Sequence, residues 1–131
     1  MVFYPNLDVN TRDTFLFGKY DANKYKPGGC RNIDRLTYKD VQYLMELNFI
    51  DPDESQNDSP TTKEMYGFLK DHPKFYASGY AISPDRDDYR ITIDEIRCDG
   101  DIEIEELKDF IEFAVGADEI RVRPNCRAWW D

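Results

Sequence analysis

The single imidazole of this chain, His72, is the only ordinary base that could activate a cysteine, so a thiol nucleophile would have to pair it with Cys30, Cys98 or Cys126. Nothing in the local sequence favours any of those pairings. Metal ligation fares no better. His72 has no second histidine and no cysteine close by in sequence, which is not a zinc spacing. Asp51-x-Asp53-x-Ser55 opens like a calcium loop, but position six is Gln56 where glycine is needed, and position twelve is Thr62 where a bidentate glutamate belongs. Gly28-Gly29 lacks the spacing and the following Lys-Ser/Thr of a phosphate loop. Carboxylate pairs such as Asp87 and Asp88 are abundant, but among 27 acids such proximity follows from composition alone. Acid–base work asks for a buried, perturbed carboxyl. The sequence therefore assigns no catalytic residue, no metal ligand and no cofactor, and leans away from an enzyme.

What remains is the chemistry of binding. The net charge is −10, and it is unevenly spread. Residues 1–50 carry seven bases and six acids, whereas residues 51–131 carry ten bases and 21 acids. Such a surface repels polyanions and favours basic partners. The acids concentrate between 94 and 112, where only Arg97 and Lys108 offset them. On a helix over about 103–115, Glu105, Asp109 and Glu112 recur at spacings of four and three and form a negative ridge. That ridge could occupy a basic groove on another protein. The competing role is a solvated helix face whose early acids suit the helix dipole.

A second candidate lies at the C-terminus, where Glu119-Ile-Arg-Val-Arg and Arg127-Ala-Trp-Trp flank Pro124-Asn125-Cys126. A three-residue loop with Arg123 opposite Arg127 puts Ile120, Val122, Ala128 and Trp130 on one face. Arg121, Arg123, Arg127 and Trp129 then share the other. Arginine with tryptophan is a hot-spot composition, and guanidinium stacks well on indole. The competing role pairs these arginines with Glu119, Asp94 or Glu95 on neighbouring strands and packs Trp129 under the N-terminal segment.

The elements that must carry these residues follow from periodicity. Thr37 caps a helix whose stripe is Val41, Leu44, Met45 and Leu47, and Asp51-Pro52 ends it. Ser59 caps a second helix with Pro60 at its first position, Met65, Phe68 and Leu69 inward, and His72-Pro73 as its stop. The period then changes to two, giving strands over 76–82 and 89–97. The third helix buries Leu107, Phe110, Ile111 and Val115 and ends at Gly116. Residues 1–36 hold a turn at Pro27-Gly28-Gly29 and an unassignable Phe15-Leu16-Phe17 run, and read as an irregular segment packed on the body. Tyr20, Lys24, Tyr25 and Lys26 read as its surface.

The fold expected is α+β, a mainly antiparallel sheet of about four strands with two to three helices on one face. At 131 residues with 15% aromatics, the chain suits one domain over 1–131 with a genuine core. An odd cysteine count, no basic-then-apolar start and no long apolar window point to a cytoplasmic protein with reduced thiols and no membrane contact. No motif ties it to a family. In size, acidity and mix of elements it resembles the small acidic inhibitor and immunity proteins that bacteria encode. The function expected is an acidic protein-binding module. The alternative is an enzyme or small-ligand binder with a pocket between sheet and helices, lined by tyrosines such as Tyr80 and Tyr89.

Overall fold

A computed structural model describes residues 2–26, 29–122 and 125–131. Nine regular elements follow in order: α1 (Val9–Phe17), β1 (Cys30–Leu36), α2 (Tyr38–Glu46), α3 (Thr62–Asp71), β2 (Tyr76–Ile82), β3 (Ile91–Cys98), α4 (Ile104–Phe113), β4 (Glu119–Arg121) and β5 (Cys126–Trp129). A short 3-10 turn, Ala22–Tyr25, precedes β1. The architecture is α+β, with four helices and an open antiparallel sheet of five strands ordered β1-β2-β3-β5-β4. The fifth strand is β1, which the sequence pattern does not reveal.

Register sorts the sheet into two faces. Ile33, Leu36, Ala77, Ala81, Ile91, Ile93, Ile96 and Ala128 point to one side and are buried. Val41 and Leu44 of α2, Met65, Phe68 and Leu69 of α3, and Phe110 of α4 close over them, with Phe49, Phe75 and Trp130 between. Rings fill much of the space. Phe75 stacks on Phe110 at 5.3 Å, Phe68 stacks on Phe113 at 4.5 Å, and Phe113 meets Trp130 edge-on. The other side of the sheet is polar and uncovered by helices.

Caps set the helix starts. Thr37 and Asp40 form a reciprocal capping box at α2. The helix stops earlier than Asp51-Pro52, because Asn48 turns left-handed at φ 61° and Phe49 N–H bonds back to the Leu44 carbonyl. Leu47 consequently falls outside the buried stripe. At α3 the cap is Thr61, not Ser59, since Thr61 and Glu64 make a second capping box. Ser59 instead accepts the Gln56 amide in the preceding turn.

The expectation of an irregular segment over 1–36 is corrected. Asp8 caps α1 by accepting the Thr11 amide, and Gly18 at φ 85° ends it with an N–H bond to the Thr14 carbonyl. The buried positions of α1 are Arg12 and Asp13, so the helix has no apolar stripe to read. In β1 the alternation breaks because Arg35 sits at φ 60° within a register shift between Ile33 and Leu36. Tyr25 is buried, not a surface residue.

Candidate functional site

Helix α4 carries the acidic ridge. Glu105, Asp109 and Glu112 are all exposed. Asp109 lies 3.3 Å from His72 Nε2, and Glu106, one position off the ridge, approaches both His72 and Lys74. Glu105 and Glu112 make no ion pair among the described residues. Glu105 and Glu106 sit in the first turn, where the helix dipole favours them.

The apolar side of α4 departs from expectation. Phe110 is buried and Leu107 half-buried, but Ile111 is 45% and Val115 84% exposed. With Ile104, 67% exposed, Ile111 forms a second stripe beside the ridge at a spacing of seven, and Val115 continues it from the turn just past the helix end. Glu106 and Phe113 face α3, so this stripe lies on the flank turned away from it. At the sheet edge, Ile120 shares the helix-covered side with its partner Ala128 yet stays 43% exposed, and Val122 is exposed as well. Five branched apolar side chains thus stand partly or largely in water on α4 and β4 or just past their ends, and the most exposed of them, Ile104 and Val115, each have up to about 1.5–3 kcal/mol to gain from full burial. Ile111 and Val115 read as core from periodicity because an exposed apolar stripe and one that meets the core have the same period.

The C-terminal hairpin is present with a different register. Arg121 opposes Arg127, and Glu119 opposes Trp129. The expected pairing of Arg123 with Arg127 is off by two residues, and Arg123 itself lies outside the described residues. A shift of two keeps the faces, so Arg121, Arg127 and Trp129 do share the uncovered side of the sheet. Arg127 is tied down there: its Nε donates to Glu95 at 2.6 Å and its Nη1 to Glu119 at 2.9 Å. Glu95 also faces Arg97 at 3.6 Å, and Arg97 reaches Tyr76, Asp34 and Asp99. Tyr76 donates to Asp99 at 2.5 Å, and Arg35 donates to the same carboxylate at 2.8 Å. The charges of this face are largely spent on one another. Arg121 alone of the three described hairpin residues is exposed and without an ion pair among the described residues.

Asp94 is the extra residue of a bulge in β3, opposite Ser78 and Gly79. Burial pushes its carboxyl up to about 6, the Trp129 indole pulls it back down through a hydrogen bond, and the Glu95 charge raises it further. Since the folded-state value lies above that of the unfolded chain, the folded protein binds the extra proton between about pH 4 and 6. Asp94 therefore favours folding at low pH and opposes it as pH rises through that window. With solvent screening at this half-buried position, the cost at pH 7 is about 1–2 kcal/mol. Asp94→Asn retains an acceptor for the indole. It should raise the stability at pH 7 relative to that at pH 4 by about the same 1–2 kcal/mol and raise the urea midpoint at pH 7. An unchanged difference would show that Asp94 ionises freely.

A buried charged cluster, invisible to periodicity, lies behind α1. Arg12 and Asp13 are fully buried, with Arg12 Nε 2.8 Å from Asp13 Oδ1. Arg12 Nη2 donates to the Tyr25 hydroxyl at 2.9 Å, and that hydroxyl donates to Asp13. The guanidinium lies 4.6 Å over the Tyr89 ring, and the Tyr89 hydroxyl donates to the Asn6 carbonyl. Burial holds both tyrosines above their usual range. Tyr25 also floors a cleft of about 490 Å³ lined by Tyr20, Lys26, Gly29, Ser83 and Arg86. Tyr89 lines a second cleft of about 320 Å³ with Phe3, Pro5, Glu54 and Arg90, and Tyr80 lies on the polar face between Asn32 and Thr92, its hydroxyl accepting from Arg90.

Among the described residues no group of three or more His, Cys, Asp or Glu side chains is placed to hold a metal ion. Among the same residues no helix is long and apolar enough to cross a membrane. Fold and surface together define an antiparallel α+β protein with an exposed acidic and apolar helix. No family model, curated protein or solved structure matches the chain.

Proposed function

We propose that this protein is a binding module whose α4 face docks a basic, amphipathic segment of another protein, in the manner of a cytoplasmic inhibitor or immunity-type partner. The observation that carries the reading is the pairing of an acidic and an exposed apolar stripe along α4 and the turn that follows it. Glu105 and Glu112 have no ion-pair partner among the described residues, and beside them Ile104 and Val115, the latter in the turn just past the helix, are largely exposed and Ile111 is close to half exposed. The acids supply steering and register, and the apolar stripe supplies the affinity that charge alone does not. The hairpin arginines fit this role less well, because Arg127 is already neutralised by Glu95 and Glu119.

The test is capture of partners from lysate at low and high salt, comparing the wild type with two variants. Glu105→Lys/Asp109→Lys/Glu112→Lys should lose a salt-sensitive partner by about tenfold or more. Ile111→Ser/Val115→Ser should lose the same partner at either salt. Both sets change exposed or half-exposed residues, and the loss of the helix-dipole term at Glu105 and of the Asp109–His72 contact should lower the melting temperature without unfolding the protein, which circular dichroism of each variant checks. Retention of the same partner by the triple-lysine variant would overturn the reading. If nothing is retained, a small-ligand or enzymatic role at the Tyr25 cleft becomes the better reading, on the strength of the buried Arg12–Asp13 pair behind it.

A further inference from the structure

We propose that Cys98 and Cys126 are a disulfide-forming pair that clasps the two ends of the segment carrying α4 and β4. The two residues are far apart in sequence but are direct Cα partners on the adjacent antiparallel strands β3 and β5. Facing residues of such a pair project to the same side of the sheet, and both thiols are free and buried there. Trp130 N–H donates to the Asp94 carbonyl, which marks that pair as a hydrogen-bonded rung. Stepping by two along the register places Cys98 and Cys126 on a hydrogen-bonded rung as well, with Cα atoms about 5.5 Å apart. Disulfides span Cα separations of about 4.4–6.8 Å, so the backbone distance fits. The Cβ atoms have to close by about 1–2 Å from the rung geometry. Cys98 is the last residue of β3 and Cys126 the first of β5, and the end of a ladder yields most readily.

The thiols are close enough to feel each other: burial holds Cys126 above its usual range, and the neighbouring Cys98 adds to the shift. Reaction with a low-molecular-weight disulfide such as glutathione disulfide therefore proceeds through fraying of this rung. The Cys126 thiol gives up its proton, and the thiolate attacks one glutathione sulfur and expels the other as a thiolate. Cys98, deprotonated in turn, attacks the Cys126 sulfur of the mixed disulfide and expels the second glutathione. One protein S–S bond forms and one glutathione S–S bond breaks. Two electrons pass to the oxidant, and the two protons end on the two glutathione thiols. The closed loop spans residues 98–126 and holds α4 in place at both ends.

The experiment uses the Cys30→Ser protein, which removes the exposed thiol. It is equilibrated in native buffer across a glutathione series, acid-quenched, alkylated under denaturing conditions and mapped without reduction. The expected result is a cross-linked peptide joining 98 to 126 at the oxidising end, loss of both alkylation sites together, and a melting temperature raised by about 5 °C or more. Adding reductant should reverse all three. Two alkylatable thiols at every poise would overturn the proposal. So would a glutathione adduct on Cys126 without the cross-link, or a cross-link that forms only in urea. Because the readout is a covalent bond within the chain, it stands whether or not α4 binds a partner.

Discussion

Replacing Asp13 with alanine should destabilise the protein by about 3–5 kcal/mol, the cost of leaving a buried guanidinium without its counter-ion. Arg12 has no exposed surface, so it cannot turn to water for compensation. One of its terminal nitrogens, Nη1, already lacks a hydrogen-bond partner. Removing the carboxylate also strips the Nε of its acceptor and the Tyr25 hydroxyl of its own. Tyr25→Phe should cost less, about 1–2 kcal/mol, because it deletes bonds without stranding a charge and keeps the ring under the guanidinium. Replacing both charges, as in Arg12→Met/Asp13→Leu, should be milder than Asp13→Ala alone, since no uncompensated ion remains. Urea midpoints for the three variants decide the matter. An Asp13→Ala midpoint within about 1 kcal/mol of wild type would mean that Arg12 is hydrated in solution and that the cluster is not a closed one.

That cluster also explains where sequence reading stops. The helices α2, α3 and α4 and the strands β2 and β3 were legible because their buried residues are apolar and recur at the period of the element. Helix α1 inverts the rule: it buries Arg12 and Asp13 and leaves Phe15 at the surface, stacked on Tyr43 at 4.2 Å. A pattern of apolar residues carries no trace of such a helix. Strand β1 failed for a different reason, since the left-handed Arg35 moves Leu36 off the alternation begun at Ile33. The cap of α3 was a matter of competing chemistry, in which Thr61 with Glu64 satisfies two backbone amides and Ser59 with Pro60 offers no such reciprocal box. In the C-terminal hairpin the faces followed from alternation, but alternation is blind to a slip of two residues, so the register did not. The acidic ridge was visible as a spacing. The stripe beside it was visible too, but its exposure depends on which flank α3 covers, and only the packed fold determines that.

Gly79→Ala should be still more damaging than the loss of Asp13, although it adds a single methyl group. A Cβ at this position would stand 1.8 Å from the Thr92 carbonyl oxygen, 2.8 Å from the carbon of that carbonyl and 2.9 Å from the Ile93 Cα. All three are backbone atoms, so no rotamer change relieves the clash; strands β2 and β3 must separate or slip. They form the middle of the sheet, and Gly79 sits at the bulge that brings Asp94 into the strand. A slip of one residue would turn Ile91 and Ile93 toward solvent and Thr92 toward the core. The expected loss exceeds about 4 kcal/mol, enough that the variant should express as insoluble or unfolded chain. Gly67→Ala is the matched control. Gly67 lies inside α3, and a Cβ there meets nothing within 4 Å. Relieving the backbone entropy of a helical glycine should stabilise the protein by about 0.5–1 kcal/mol. The same substitution thus has opposite signs at two sites, and circular dichroism with urea titration of both variants reads the difference. A folded, wild-type-like Gly79→Ala protein would mean that β2 and β3 are farther apart at this rung than the bulge places them, and the Ser78–Glu95 and Gly79–Ile93 pairing on either side of Asp94 would fall with it.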